Sequence, residues 1–274
     1  NDQRLVVVHS VASADEDAFW RHLVSTPWEV PSKIRKVAEA RLRESVQEVL
    51  TTSELPDDIA YVVALKDAAD GILSAQKGHD AEIIVIGSTG AGKVQNFLLG
   101  SSAERVVRES PVPVLTLTPN APTERFERVL APIDFADCSR KSLQMAIDIA
   151  REEQAKLHIL HAFALPAAGL SLLDMQAPPE AIEAYEQRKW EQFDAFLEDF
   201  DLEGVECSRL LRIDSPASAI RDAVEEEGVD LICMGTRGRR GFKRFVLGST
   251  AGRVVRNVPC SVLTVPNGDK KATD

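Results

Sequence analysis

The chain contains the same plan twice, and that repeat constrains its fold more than any other feature. "EIIVIGSTGAGKVQNFLLGSSAERVVRESPVPVLTLTP" (82 to 119) is matched by "DLICMGTRGRRGFKRFVLGSTAGRVVRNVPCSVLTVP" (230 to 266), with 148 residues between Gly87 and Gly235. Upstream, "RLVVVHSV" (4 to 11) corresponds to "KLHILHAF" (156 to 163), which sets His9 opposite His161. In both copies short β-branched runs alternate with amphipathic segments. Ile34, Val37, Leu42, Val46 and Val49 recur at helical spacing in the first copy, and Ile182, Tyr185, Trp190, Phe193, Leu197 and Phe200 do so in the second. That alternation is the pattern of a parallel sheet with helices on both faces, so the expected class is α/β, doubly wound, built twice.

With 274 residues the chain has material for two buried cores. The proline-containing polar stretch "TPNAPTERFER" (118 to 128) is the expected linker, giving domains at 1–122 and 123–274. The second copy opens with "RVLAPIDFADCSRKSLQMAIDIAREEQA" (128 to 155), which reads as a strand, a loop and a helix with Leu143, Ile147 and Ala150 on one face. The first copy lacks this unit. Carrying the spacing from His161 to Asp134 across to His9 puts the counterpart of Asp134 about 18 residues before Asn1. Loss of a whole strand and helix would expose unpaired edges, so the expectation is that the protein starts earlier.

A 44% hydrophobic and 27% charged composition is that of a globular protein. The formal net charge of −11 argues against nucleic acid or an anionic membrane surface, which need a basic footprint. No run reaches the roughly 18 apolar residues of a membrane-spanning helix. Cys138, Cys207, Cys233 and Cys260 form no C-x-x-C pair and no metal-ligand spacing with His, so they read as reduced packing residues of a cytoplasmic protein.

"VIGSTGAGKV" (85 to 94) has the spacing of a Walker loop, but Val94 stands where Ser or Thr should hold magnesium. The second copy loses the Gly-Lys pair altogether. Both copies share instead Gly, two residues, Gly, nine residues, Gly, Ser: Gly87, Gly90, Gly100, Ser101 and Gly235, Gly238, Gly248, Ser249. Gly87 and Gly235 end strands, where open α/β sheets place their ligands. Gly100-Ser101-Ser102 and Gly248-Ser249-Thr250 begin helices whose N–H groups and dipole favour an anion. The nine-residue spacer has to fold back for its two ends to meet one phosphate. Turn glycines and helix-capping serines are the bland alternative; reproduction of the whole spacing in two diverged copies favours phosphate.

This pattern, across practically the whole chain, resembles the universal stress protein family in its tandem two-domain form, whose nucleotide-binding branch carries G-x2-G-x9-G-[ST]. The resemblance implies five-stranded parallel sheets of order 3-2-1-4-5, with the domains paired about a pseudo-twofold axis through strand five, "VPVLTLT" and "SVLTV". It implies an ATP site in the second domain, with Asp134 of "APIDFADCS" on the adenosine, Pro132 and Ile133 beside it, and Phe163 near the adenine. Met234, Gly235, Gly238, Gly248, Ser249 and Thr250 complete that site. Val11, Ile86, Gly87, Gly90, Gly100, Ser101 and Ser102 are the corresponding residues of the first domain, which has no counterpart of Asp134.

Asp137 and Ser139 are better placed than Asp134 to cap the helix that follows. His9 and His161, in apolar strands without an acid partner, read as packed core residues. The basic run Arg237, Arg239, Arg240, Lys243 and Arg244 suits either a triphosphate or solvent, and the first copy keeps only Lys93. No nucleophile is accompanied by a base. The function expected is that of an ATP-binding stress-response sensor or regulator, taking ATP or another adenine nucleotide with Mg2+ and hydrolysing it slowly at most, as a homodimer with an unidentified regulatory partner. The rivals are an ATP-consuming enzyme with a second substrate and an assembly module without nucleotide.

Overall fold

The computed structural model describes residues 4–11, 30–49, 58–88, 99–119, 121, 125–165, 178–236 and 247–267. Two compact units are distinguished, Asn1–Ile84 and Val85–Asp274.

The first unit contains β1 (Leu5–Ser10), α1 (Val30–Val49), β2 (Ile59–Ala64) and α2 (Ala68–His79). β1 and β2 form a two-stranded parallel sheet in which His9 faces Val63. Ile34, Ala38, Leu42 and Val46 of α1 are half-buried, a row at i, i+4 spacing. Val37 and Val49, expected on the same face, are 56% and 74% exposed.

The second unit begins with the end of the first repeat: β3 (Ile84–Gly87), α3 (Ser101–Glu109) and β4 (Val114–Leu117). The second repeat follows as β5 (Arg128–Ile133), α4 (Asp137–Glu153), β6 (Lys156–Phe163), α5 (Pro179–Leu197), β7 (Cys207–Ile213), α6 (Pro216–Glu227), β8 (Leu231–Gly235), α7 (Ser249–Asn257) and β9 (Ser261–Val265). Its sheet has the order β3-β4-β9-β8-β5-β6-β7. Read from β7 to β9, the second repeat alone gives 3-2-1-4-5, all parallel.

In that order β5 is the central strand, paired with β6 on one side and β8 on the other. The first repeat has no counterpart of β5 among the described residues. Its four strands therefore form two pairs, β1 with β2 and β3 with β4. β4 and β9, the fifth strands of the two repeats, pair antiparallel with Leu115 opposite Leu263. These two leucines are equivalent under the 148-residue offset, so a local twofold passes through their pair. Arg256 of α7 reinforces the junction, donating from Nε to Glu104 of α3 at 3.3 Å.

Alternation along the strands supplies a core on each face of the second repeat. Val129, Ala131, Ile133, Leu157, Ile159, Leu231 and Cys233 pack with Leu143, Ile147 and Phe193 from α4 and α5. The intervening Leu130, Leu160, Ile232 and Met234 pack with Ile220, Val224, Val254 and Val255 from α6 and α7. Local signals terminate the helices in the same way in both repeats. Asp67 and Ser215 cap α2 and α6 by accepting from the N–H of Asp70 and Ser218. Asp80 and Gly228 end them in the left-handed conformation.

Candidate functional site

Because β5, β6 and β8 run parallel, their carboxyl ends reach one edge of the sheet. Pro132, Ile133 and Asp134 close β5, Phe163 closes β6, and Met234 and Gly235 close β8. Gly248, Ser249 and Thr250 open α7. Gly238 lies outside the described residues, as does the basic run from Arg237 to Arg244.

What joins the two ends of the glycine motif is backbone hydrogen bonding. Thr236 N–H donates to Val265 O at 3.0 Å, and Gly248 N–H donates to Thr236 O at 2.8 Å. The first repeat repeats both links: Ser88 N–H to Leu117 O at 2.8 Å and Gly100 N–H to Ser88 O at 2.8 Å. The spacer thus returns to its starting point in both copies, as the spacing requires. Ser88 and Thr236 are the residues that sequence reasoning missed here; a hydroxyl residue directly after the strand-ending glycine in both copies was the available signal.

Glycine occupies the N-cap of both helices, so no side chain caps α3 or α7. That choice is not forced by backbone strain: Gly100 sits at φ −62° and Gly248 at φ −58°. Nor does packing demand it at Gly100, where an added Cβ would meet only Ser88 O at 3.6 Å, an ordinary contact. A bare N-cap leaves the first-turn N–H groups to an external acceptor, the arrangement that suits a phosphate.

Asp134 is held by its own loop. Its Oδ1 accepts from Ser139 Oγ at 2.6 Å and from Ala136 N–H at 3.1 Å, while its N–H donates to Ser139 Oγ at 3.0 Å. The N-cap of α4 is Ala136, which offers no side-chain cap, and Ser139 serves Asp134 instead. Phe135 follows at φ +60°, unusual for a bulky residue. Its ring lies 4.1 Å from the His161 imidazole and 5.4 Å from the Phe196 ring. Cys138 donates from Sγ to Val265 O at 3.3 Å, tying the start of α4 to the end of β9. Phe163 is buried beneath Tyr185 of α5, with ring centroids 5.4 Å apart, and Lys189 Nζ lies 5.9 Å from the Phe163 ring.

In the first repeat Ile86 and Gly87 end β3, and Gly100, Ser101 and Ser102 begin α3, all in the second unit. Val11 belongs to the first unit, where its N–H donates to Ala64 O at 2.9 Å. Gly90 and Lys93 lie outside the described residues.

None of the four cysteines is in a disulfide; Cys207 is exposed and the other three are buried. Burial pushes the Cys260 thiol up to about 12 and the Cys233 thiol higher still. No group of three or more His, Cys, Asp or Glu side chains suited to a metal occurs among the described residues. No helix among them is long and apolar enough to cross a membrane.

Comparison with known proteins agrees with this arrangement. The model of the universal stress protein family matches residues 3–117 and again 125–266. The chain belongs to the universal stress protein family. It is 25% identical over 268 residues to a universal stress protein of Mycobacterium tuberculosis, covering 89% of this chain and 88% of that one. A universal stress protein of Methanocaldococcus jannaschii is 31% identical over 156 residues, 53% of this chain and 85% of the relative. Among solved structures, a universal stress protein from Archaeoglobus fulgidus superposes with a TM-score of 0.61 at 22% identity, covering 96% of this chain and 88% of that one. The fold of this universal stress protein is thus shared along nearly its full length.

Proposed function

We propose that this universal stress protein binds an adenine nucleotide, ATP with Mg2+, at the carboxyl edge of its second repeat, and acts as a nucleotide-dependent sensor or regulator of a cytoplasmic stress response. The observation that carries this reading is the paired backbone link, Thr236 to Val265 and Gly248 to Thr236, which closes the glycine motif beneath an N-terminus bare of any side-chain cap. A phosphate chain would take the first-turn N–H groups of Ser249, Thr250 and Ala251 together with the two hydroxyls. The carboxylate of Asp134 would accept from the nucleoside, with Pro132, Ile133, Phe163 and Met234 as the surrounding wall. Bound nucleotide supplies a phosphoanhydride; among the described residues no nucleophile–base pair accompanies the site, which fits slow hydrolysis at most. Since the fifth-strand edges of the two repeats are used on each other, a homodimer of the chain would form through another surface.

The test is the amount and identity of nucleotide released on denaturing freshly purified protein, repeated after saturation with magnesium ATP. One adenine nucleotide per chain is expected. Two would extend the reading to the first repeat, and none at millimolar ATP would sink it. Asp134→Ala should weaken ATP binding about 10- to 100-fold by isothermal titration, the value of a hydrogen bond to a charged group.

A further inference from the structure

We infer that His161 is a positioning residue for Asp134, a role that rests on the nucleotide reading above. One side chain holds both neighbours of the carboxylate residue. In the β5–β6 register Ile133 lies opposite His161, and the buried Nδ1 of the imidazole is 2.9 Å from Ile133 O. A carbonyl only accepts, so Nδ1 carries the proton and donates. The face of the same ring lies 4.1 Å from the Phe135 ring.

Phe135 is at φ +60°, a conformation that a bulky residue keeps only where its surroundings impose it. Those surroundings are His161 and two aromatic rings of α5, Phe193 at 6.3 Å and Phe196 at 5.4 Å. The left-handed turn at Phe135 reverses the chain immediately after Asp134. Its carboxylate can then accept from Ala136 N–H and Ser139 Oγ at the start of α4. The hydrogen bond fixes the chain before Asp134, the ring contact fixes it after, and the carboxylate direction follows from both.

The first repeat supplies the internal contrast. His9 has the same register to the next strand, opposite Val63 where His161 is opposite Leu211, yet it is exposed. In the second repeat the buried ring packs against Phe135 of the loop that carries Asp134.

Three variants test the role: His161→Leu, His161→Gln, which retains an N–H donor, and Phe135→Leu, which removes the ring contact and leaves the hydrogen bond. Each is measured for magnesium ATP affinity by titration and, without nucleotide, for amide hydrogen exchange at residues 134–139. His161→Leu should weaken ATP about tenfold and raise exchange across 134–139 by a similar factor, with α7 and β9 unchanged; His161→Gln should recover most of both. A purely structural role would raise exchange throughout the second repeat and spare affinity in the folded protein. Unchanged affinity and exchange in His161→Leu, with the wild type binding ATP, overturns the positioning role alone. Should His161→Leu fail to fold, Phe135→Leu decides, and wild-type affinity in that variant overturns it. Absence of ATP binding by the wild type overturns the nucleotide reading and this role together.

Discussion

β1 and β6 are the same strand of the repeated plan, aligned His9 to His161 and in the same register with the strand that follows, yet their surroundings differ. β6 lies between β5 and β7, and six of its eight residues are buried, Leu157, Ile159 and Leu160 completely. Among the described residues β1 pairs with β2 alone, and Leu5 and His9 are exposed. The strands that follow the crossover repeat the contrast. β8 is flanked on both sides and Cys233 is fully buried, whereas among the described residues β3 pairs with β4 alone, and Val85 is 55% exposed. Similar strand sequences are thus buried to different depths in the two repeats. A strand's apolar residues state its capacity for burial; its neighbours decide how much is realised.

The largest effect should come from truncating a side chain in α5 and in α1, the corresponding helices of the two repeats. Phe193→Ala, at a fully buried position of α5, should cost about 3–5 kcal/mol, and Val37→Ala on exposed α1 less than about 0.5 kcal/mol. Urea denaturation followed by fluorescence and circular dichroism measures both; similar costs would erase the contrast. Next is Gly71 of α2, where an added Cβ would stand 2.0 Å from Ser10 Oγ and 3.0 Å from Ala64 Cβ. Gly71→Ala should destabilise the first unit by about 1–3 kcal/mol, read as faster amide exchange in β1 and β2 with β5 and β6 unchanged.

A smaller and symmetrical effect is expected at the helix caps. Asp67→Ala and Ser215→Ala each remove one side-chain acceptor from a first turn and should cost about 1 kcal/mol apiece. Unequal losses, measured by exchange within α2 and α6, would show that the caps depend on the sheet beneath them.

The smallest effect is confined to the second repeat and appears with pH. His158 is buried, its Nδ1 2.8 Å from Ser208 Oγ and 3.7 Å from Glu227 Oε2. Burial lowers its pKa below the usual 6.5, assisted by Lys156 and Arg128 and opposed by Glu227 and Glu206. The folded state therefore binds fewer protons than the unfolded one. The stability this group confers is complete above about pH 6.5 and is lost as pH falls from there through the lowered value. Denaturation midpoints between pH 8 and pH 5 should decline over that window, and His158→Gln should flatten the decline.

Much of the fold was legible because periodicity survives in single segments. Leu143, Ile147 and Ala150 were readable as one helix face and are fully buried. Strand five was readable as the pairing edge, and β4 meets β9 there. Phe196, which is buried and touches Phe135, escaped the α5 pattern because Leu197 beside it fitted the spacing equally well. At the candidate site the glycines could be named from their spacing, and Asp134 from the family resemblance. The backbone partners of Ser88 and Thr236 could not, because such bonds depend on where strand five ends and not on residue type.

By itself the sequence determined the local grammar of this universal stress protein: the repeated strand–helix units, their caps and the glycine motif, all of which depend on residues close together along the chain. Only the tertiary structure decided which copies of those units are enclosed. Enclosure depends on β5, a strand far from β8 in sequence and adjacent to it in space. Among the described residues β6 has a neighbour on each side and β1 has one, and His161 is buried where His9 is exposed.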